Sequence, residues 1–244
     1  MIYLSNRNNR GFASLLLLST LPLFFLLLFS VAFLYAYIDI KTNLRSLCLT
    51  EGVQTQKQII EAEKKLFQLN LLSSSLKTKL ILTYAQLAAA IAAENPPAIA
   101  LAIKEIELIK SQQKNLDTLQ KTIIYTTDLH AKNQSINLYQ NLLKKINLSQ
   151  NNWSYYLLIS GLLQIVTSPK VAVHPTSDDL APNYELDTDH SETQRLALIW
   201  QLSLFSNRKA QQLLNTKNYF YSECSVYSNF KENAWHIEIQ TGKF

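Results

Sequence analysis

The hydrophobic pattern divides the chain into three stretches with different periods. A continuous apolar run fills residues 12–38 and contains no charged residue. Helical stripes follow it, and an alternating, strand-like pattern occupies the end of the chain. As a helix, the first run would be roughly 40 Å long, which is more than the hydrocarbon core of a bilayer requires. We therefore predict a transmembrane helix at residues 12–38.

The apolar run is a poor match to a cleaved secretory signal. Such signals have about 7–15 apolar residues and a small-x-small cleavage site. This run is far longer and ends in Leu34-Tyr35-Ala36-Tyr37, whose tyrosine rings suit a membrane interface. Arg7 and Arg10 precede the run, and no acidic residue does. This charge pattern predicts a single-pass anchor with the N terminus in the cytoplasm and the body on the other side.

Residues 39–150 carry two helical stripes separated by a sharp break. The break is Glu94-Asn95-Pro96-Pro97, because proline disfavours helix in the residue before it and Pro97 suits the first position of a new helix. Two striped helices with so short a connection predict an antiparallel hairpin with its break at 94–97, packed as in a coiled coil. The first stripe has the rows Ile59, Leu66, Leu80, Leu87 and Ala62, Leu69, Leu76, Ala90. The second has Ile99, Ile103, Ile106, Ile109, Leu116, Leu119 and Ile123.

The hairpin stripes also contain weak positions and a charged outer face. Ser73 and Thr83 interrupt the first stripe, and apolar spacing continues through residues 127–150, which allows the second helix to reach about residue 148. The outer face carries Lys57, Glu61, Lys64, Lys65, Lys104, Glu105 and Lys110. These residues are interpreted as a solvated surface, and the alternative is that part of the stripe engages a partner helix.

The last third, residues 151–244, predicts a small α+β domain. The apolar run at residues 155–166 suits either helix or strand, because Gly161 lies in its centre. Residues 168–192 contain three prolines and many acidic residues, which predicts a long exposed loop. Period-two rows then predict a mostly antiparallel sheet with one buried face. They are Leu198, Trp200, Leu202, Leu204, then Tyr219, Tyr221, Tyr227, and then Trp235, Ile237, Ile239.

Composition argues against catalysis and against nucleic-acid binding. The net charge is +5 with dispersed lysines, and four glycines leave no phosphate-binding loop. The histidines form no pair at i, i+4 spacing, and Asp187-x-Asp189-x-x-Glu192 lacks the glycine of a calcium loop. The histidines are His130, His174, His190 and His236. We expect no enzyme activity, cofactor or bound metal.

The two cysteines, Cys48 and Cys224, suit neither a metal cluster nor a disulfide-dense scaffold. An oxidising compartment would allow one long-range disulfide between them. Sequence alone leaves open whether they meet. Arg45-Ser46-Leu47 before Cys48 also differs from the small apolar residues that precede a lipoprotein cysteine.

The start of the chain resembles TadE-like pseudopilins of tight-adherence (Tad) pili, a branch of the type IV pilin superfamily. The resemblance lies in Arg10-Gly11 followed by Phe12-Ala13-Ser14 and in the step Leu21-Pro22-Leu23. It implies that a prepilin peptidase cuts between Gly11 and Phe12, so that residues 1–11 are a leader. Leu16 stands where the family has a glutamate. In that family this carboxylate pairs with a neighbouring subunit's amine, and some minor, tip-type members lack it.

The resemblance implies a minor pseudopilin in a bacterial inner membrane, with its body in the periplasm or beyond. Its expected partners are the membrane, the prepilin peptidase and other pilin or pseudopilin subunits in an oligomeric assembly. The implied fold is α+β and pilin-like: a transmembrane helix, a long hairpin and a small sheet. Two alternatives remain from the sequence, namely a periplasmic adaptor of an export machine and a membrane-anchored enzyme or sensor.

Overall fold

Three long helices occupy the first two thirds of the chain. They are α1 (Asn8–Leu47), α2 (Val53–Ala92) and α3 (Pro96–Leu157). In the computed structural model, which describes residues 8–157, 160–203 and 219–240, a π-helical turn at Cys48–Gly52 joins α1 to α2. Because the residues flanking this turn keep helical backbone angles, the helix runs without interruption over residues 8–92.

A tight turn reverses the chain between α2 and α3. Glu94 adopts a left-handed backbone conformation with φ 48°, and the Asn95 side chain accepts a hydrogen bond from the Ala98 N–H at 3.3 Å. This is the usual role of an N-cap asparagine. Pro96 opens α3, one residue before the predicted start, and α3 continues to Leu157, beyond the predicted end near residue 148.

The facing sides of α2 and α3 agree with most of the predicted stripes. Leu76 packs with Ile109 and Leu116 near the turn, and Ile59 packs with Ala131 further along, so the helices are antiparallel. Two stripe residues were assigned wrongly: Ile103 is 45% exposed and Leu119 is 48% exposed. Their places at the interface are taken by Ala102 and by glutamines, which a search for large apolar residues overlooks. The weak positions Ser73 and Thr83 are both buried.

A four-stranded antiparallel sheet follows α3 and confirms the α+β class. Its strands are β1 (Ser160–Thr167), β4 (Leu196–Ser203), β5 (Tyr219–Lys231) and β6 (Ala234–Gln240), in the order β1-β4-β5-β6. The run at 155–166 is therefore helix up to Leu157 and strand from Ser160. Leu198 and Trp200 are buried as predicted, whereas Ile239 on the edge strand is exposed. Leu204 and the side chains of Leu202, Tyr219 and Tyr221 lie outside the described residues.

The sheet packs against the point where α1 and α3 meet. One buried cluster joins all three elements: Phe33, Ala36, Leu44, Leu138, Leu142, Leu163, Leu196, Leu198 and Trp200. The distal end of the predicted membrane run therefore belongs to the protein core. Every residue from 17 to 31 is exposed; beyond residue 31 the helix buries Phe33 and Ala36, while Leu34, Tyr35 and Ile38 stay exposed.

The π-helical turn is attached to β5 by a covalent bond and by close packing. Cys48 and Cys224 form a disulfide with their Cα atoms 6.4 Å apart. Beside it, a Cβ placed on Gly52 would lie 3.0 Å from Val226 Cγ2 and 3.6 Å from Leu196 Cδ2. Gly52 has an ordinary helical conformation, so the glycine is required by this close approach and not by its backbone angles.

Substituting Gly52→Leu is expected to lower the free energy of unfolding by about 2 kcal/mol, because the new side chain overlaps Val226. Urea unfolding of the purified protein measures this. In a Val226→Ala background the cost should fall by at least about 1 kcal/mol, because the two sites are in contact. Thr50→Leu, in the same turn but exposed, is the matched control and should cost little. An equal cost of Gly52→Leu in both backgrounds would contradict the packing.

Candidate functional site

The segment between β1 and β4, predicted as an exposed loop at 168–192, is instead an ordered arm that lies along the α2–α3 hairpin. This β-arm (residues 168–195) contains the antiparallel pair β2 (Val173–Pro175) and β3 (Tyr184–Leu186), and then the short helix α4 (His190–Thr193). Val171, Ala172, Ala181 and Tyr184 are buried. Most of the acidic residues are exposed, as predicted. The apolar residues between them were not expected to be buried, and they fill the groove between α2 and α3.

One row of α2 residues, spaced by seven, binds the β-arm along its length. Glu63 Oε1 accepts a hydrogen bond from the Ala172 N–H at 3.0 Å. Asn70 binds the Tyr184 main chain twice, since Oδ1 accepts from N–H at 2.8 Å and Nδ2 donates to the carbonyl at 2.9 Å. Lys77 Nζ lies 3.5 Å from Asp179 Oδ2 at the tip of the arm. This heptad row fixes the position of the arm along the length of the hairpin.

Other hairpin side chains also bind the main chain of the arm. Ser73 donates to the Ala181 carbonyl, and Gln120 Nε2 donates to the Pro182 carbonyl at 3.1 Å. Asp128 Oδ1 accepts from the Val171 N–H at 2.8 Å. Because these bonds reach backbone atoms, the groove holds an extended chain largely independently of its side chains. The groove between α2 and α3 therefore holds the chain's own arm mainly through main-chain atoms.

At its base the β-arm is held by a buried polar cluster. Gln56 Nε2 donates to the Gln194 carbonyl at 2.5 Å and to the Val226 carbonyl at 3.3 Å, and Gln194 Nε2 donates to Glu63 Oε1. The Glu63 side chain is fully buried, and its Oε2 atom has no hydrogen-bond partner among the described residues. The cluster thus connects α2, the arm and β5.

Burial raises the pKa of Glu63 to about 7, because ionisation would place a charge in a site with little water. The hydrogen bonds from Ala172 and Gln194 oppose this rise, and the carboxylates of Asp187 and Asp128 add to it. A carboxyl group that titrates near neutral pH therefore sits at the base of the arm.

The residues singled out from the sequence do not form a common site. Gly11, Phe12 and Leu16 lie on α1, and their side chains fall outside the described residues. The disulfide holds Cys48 and Cys224 together at the π-helical turn.

The scattered histidines and acids have separate roles. His174 Nδ1 lies 2.9 Å from Asp187 Oδ1, His190 Nε2 accepts from the Phe230 N–H at 3.3 Å, and Glu192 accepts from Arg195 at 3.3 Å. In the part of the chain that the structure describes, no group of three His, Cys, Asp or Glu residues is placed to hold a metal ion.

The heptad row on α2 was missed from the sequence. The only signal was Glu63, Asn70 and Lys77 at seven-residue spacing beside the apolar stripe. Polar residues at such positions are usually solvated, so the spacing alone could not distinguish a binding row from an outer face.

A second feature is the exposed apolar part of α1. Among the described residues, one helix near the N terminus is long and apolar enough to cross a membrane. Neither a family model, nor a curated protein, nor a solved structure matches this chain.

Proposed function

We propose that this protein is a membrane-anchored minor pseudopilin of the TadE-like type, a structural and assembly subunit of a Tad pilus or related envelope machine. The residues that support the proposal are Arg10-Gly11 and Leu21-Pro22-Leu23, which resemble the family pattern. The protein would act through helix packing in the membrane and through binding of partner chains by its body.

The observation that carries the proposal is the exposed apolar surface of α1. All residues from 17 to 31 are exposed, and an apolar surface of this size on a soluble protein would associate or aggregate. A bilayer or neighbouring apolar helices would cover it. Pro22 lies inside this helix, and membrane helices tolerate such a proline where neighbouring groups satisfy the freed carbonyl.

Two further features fit an anchored subunit with its body outside the cytoplasm. The helix runs directly from the apolar surface into α2, so the anchor and the body are joined without a linker. The Cys48–Cys224 disulfide is of the kind that persists in an oxidising compartment such as the periplasm. The disulfide supports the predicted orientation.

The leucine at position 16 bears on where this subunit would sit in an assembly. Without a carboxylate at this position, the subunit lacks the charge that in the family pairs with a neighbour's amine. We therefore propose a subunit that caps or organises an assembly and does not build its shaft.

The N terminus of the membrane-extracted protein tests the proposal. In cells with an active prepilin peptidase, mass spectrometry should find Phe12 as the first residue. Gly11→Leu should leave the full chain with Met1, because it alters the residue before the cut. Asn9→Ala, two residues away in the leader, is the control and should still be processed. An intact Met1 in the wild-type protein under these conditions would refute prepilin processing and with it the pseudopilin assignment.

A further inference from the structure

The groove on the hairpin continues beyond the tip of the β-arm. The α2 row Glu63, Asn70, Lys77 is followed at the same spacing by Tyr84 and Ile91. The first three residues contact the arm, whereas Tyr84 is 44% exposed and Ile91 is 56% exposed. The same face of the hairpin is therefore covered near the sheet and uncovered and apolar towards the turn.

A cavity of about 360 Å³ opens where the arm ends. It is lined by Lys77, Leu80, Ile81, Lys110, Gln113, Asp179 and Leu180. Three of its lining residues are aliphatic and two are lysines, one of which, Lys77, is paired with Asp179. The cavity thus combines apolar surface with positive charge.

Gln113 supplies an unused polar group in this cavity. The residue is 4% exposed and makes no hydrogen bond to another described residue; its amide atoms are not fully enclosed, so water reaches them. Gln113 lies one heptad from Gln120, which donates to the Pro182 carbonyl of the arm at 3.1 Å. A main-chain carbonyl of an extended chain placed further along the groove would accept a hydrogen bond from Gln113 in place of water.

The charges at the cavity indicate what kind of chain would fit. Lys77 is paired with Asp179, and the Lys110 ammonium lies 5.8 Å from the centre of the Tyr84 ring. Among the described residues no carboxylate contacts Lys110. An acidic side chain would pair with Lys110, as Asp179 pairs with Lys77 at the tip of the arm, while an aliphatic neighbour would cover the exposed Ile81.

We propose that this distal groove, formed by Lys77, Leu80, Ile81, Tyr84, Lys110 and Gln113, binds an extended segment of a partner polypeptide in which an acidic residue stands beside an aliphatic one. The occupant we infer is a segment of another protein; it is not the arm of a second copy, because each arm is held on its own hairpin. The inference goes beyond the proposed function and does not depend on how the protein is anchored or processed.

Binding of a fluorescent peptide to the detergent-purified full chain tests this. The probe is an acetylated peptide with the sequence of residues 176–183, which contains Asp178-Asp179-Leu180. Fluorescence anisotropy should show saturable binding that Lys110→Glu weakens at least about tenfold, because the charge contact becomes repulsive. Gln113→Leu should also weaken binding, by about threefold, through loss of the main-chain hydrogen bond. A probe with both aspartates replaced by lysine should recover binding to the Lys110→Glu protein.

The matched control is Lys104→Glu, which makes the same charge change at an exposed position on another face of α3 and should leave binding unchanged. Circular dichroism verifies that each variant is folded. Lack of saturable binding up to about 1 mM probe, or equal losses in Lys104→Glu and Lys110→Glu, would overturn the proposal. A dimer that Lys110→Glu dissociates, without any peptide binding, would overturn it in favour of a second copy.

Discussion

Replacing both cysteines, as Cys48→Ala with Cys224→Ala, is expected to lower the free energy of unfolding by about 3–5 kcal/mol. The disulfide closes a loop with a sequence separation of 176 residues, and a cross-link over so long a loop greatly restricts the unfolded chain. It also ties the π-helical turn to β5, so its loss would remove the covalent link between the sheet and the helices. Urea unfolding of the detergent-purified protein measures the change.

Reduction provides the control for this prediction. Dithiothreitol should lower the stability of the wild-type protein by a similar amount and leave the double variant unaffected. Ser46→Ala, at an exposed site two residues from Cys48, should unfold like the wild type with and without the reductant. A wild-type unfolding midpoint that is insensitive to complete reduction would contradict a stabilising role for the disulfide.

Glu63→Gln is expected to remove most of a pH dependence of stability between pH 4.5 and 7. The pKa of Glu63 is about 7 in the folded protein and near 4.5 in an unfolded chain, so the folded state binds the proton more tightly. The contribution of Glu63 to the free energy of unfolding should therefore be largest below pH 4.5. As pH rises to about 7, the free energy of unfolding should fall by up to about 3 kcal/mol. Above that pH the decrease levels off.

The glutamine variant keeps the Oε1 acceptor for Ala172 and Gln194 but carries no ionisable group. At pH 8 it should therefore be more stable than the wild type, and the difference should shrink at pH 5. Glu61→Gln, an exposed site on the same helix, is the matched control and should leave the pH profile unchanged. If both variants follow the wild-type profile, ionisation of Glu63 does not govern the attachment of the arm.

Both predictions concern the region where the β-arm joins the sheet. The disulfide and the Gln56–Gln194–Glu63 cluster lie at the same end of the hairpin, where the arm leaves the sheet. Weakening either one should loosen the sheet and the arm from the helices. At its other end, the arm contributes Asp179 and Leu180 to the distal groove, so its attachment also shapes that binding surface.

Much of the helical part of the fold could be predicted from local patterns. The break before Pro96-Pro97, the buried positions Ile59 and Leu66, and the alternation in β4 each follow from interactions within a few residues. Such signals are strong because helix and strand periods place apolar residues on one face. The errors at Ile103 and Leu119 arose where buried glutamines, and not large apolar residues, occupy the helix interface.

The sequence by itself determined the long apolar helix, the hairpin and the antiparallel sheet, because period and proline placement act locally. Only the tertiary structure decided that Phe33 and Ala36 belong to the core, that Cys48 meets Cys224, and that the acidic segment folds back as an arm. These outcomes depend on contacts between residues more than 100 positions apart in the chain. The raised pKa of Glu63 likewise depends on the groups that such distant contacts bring around it.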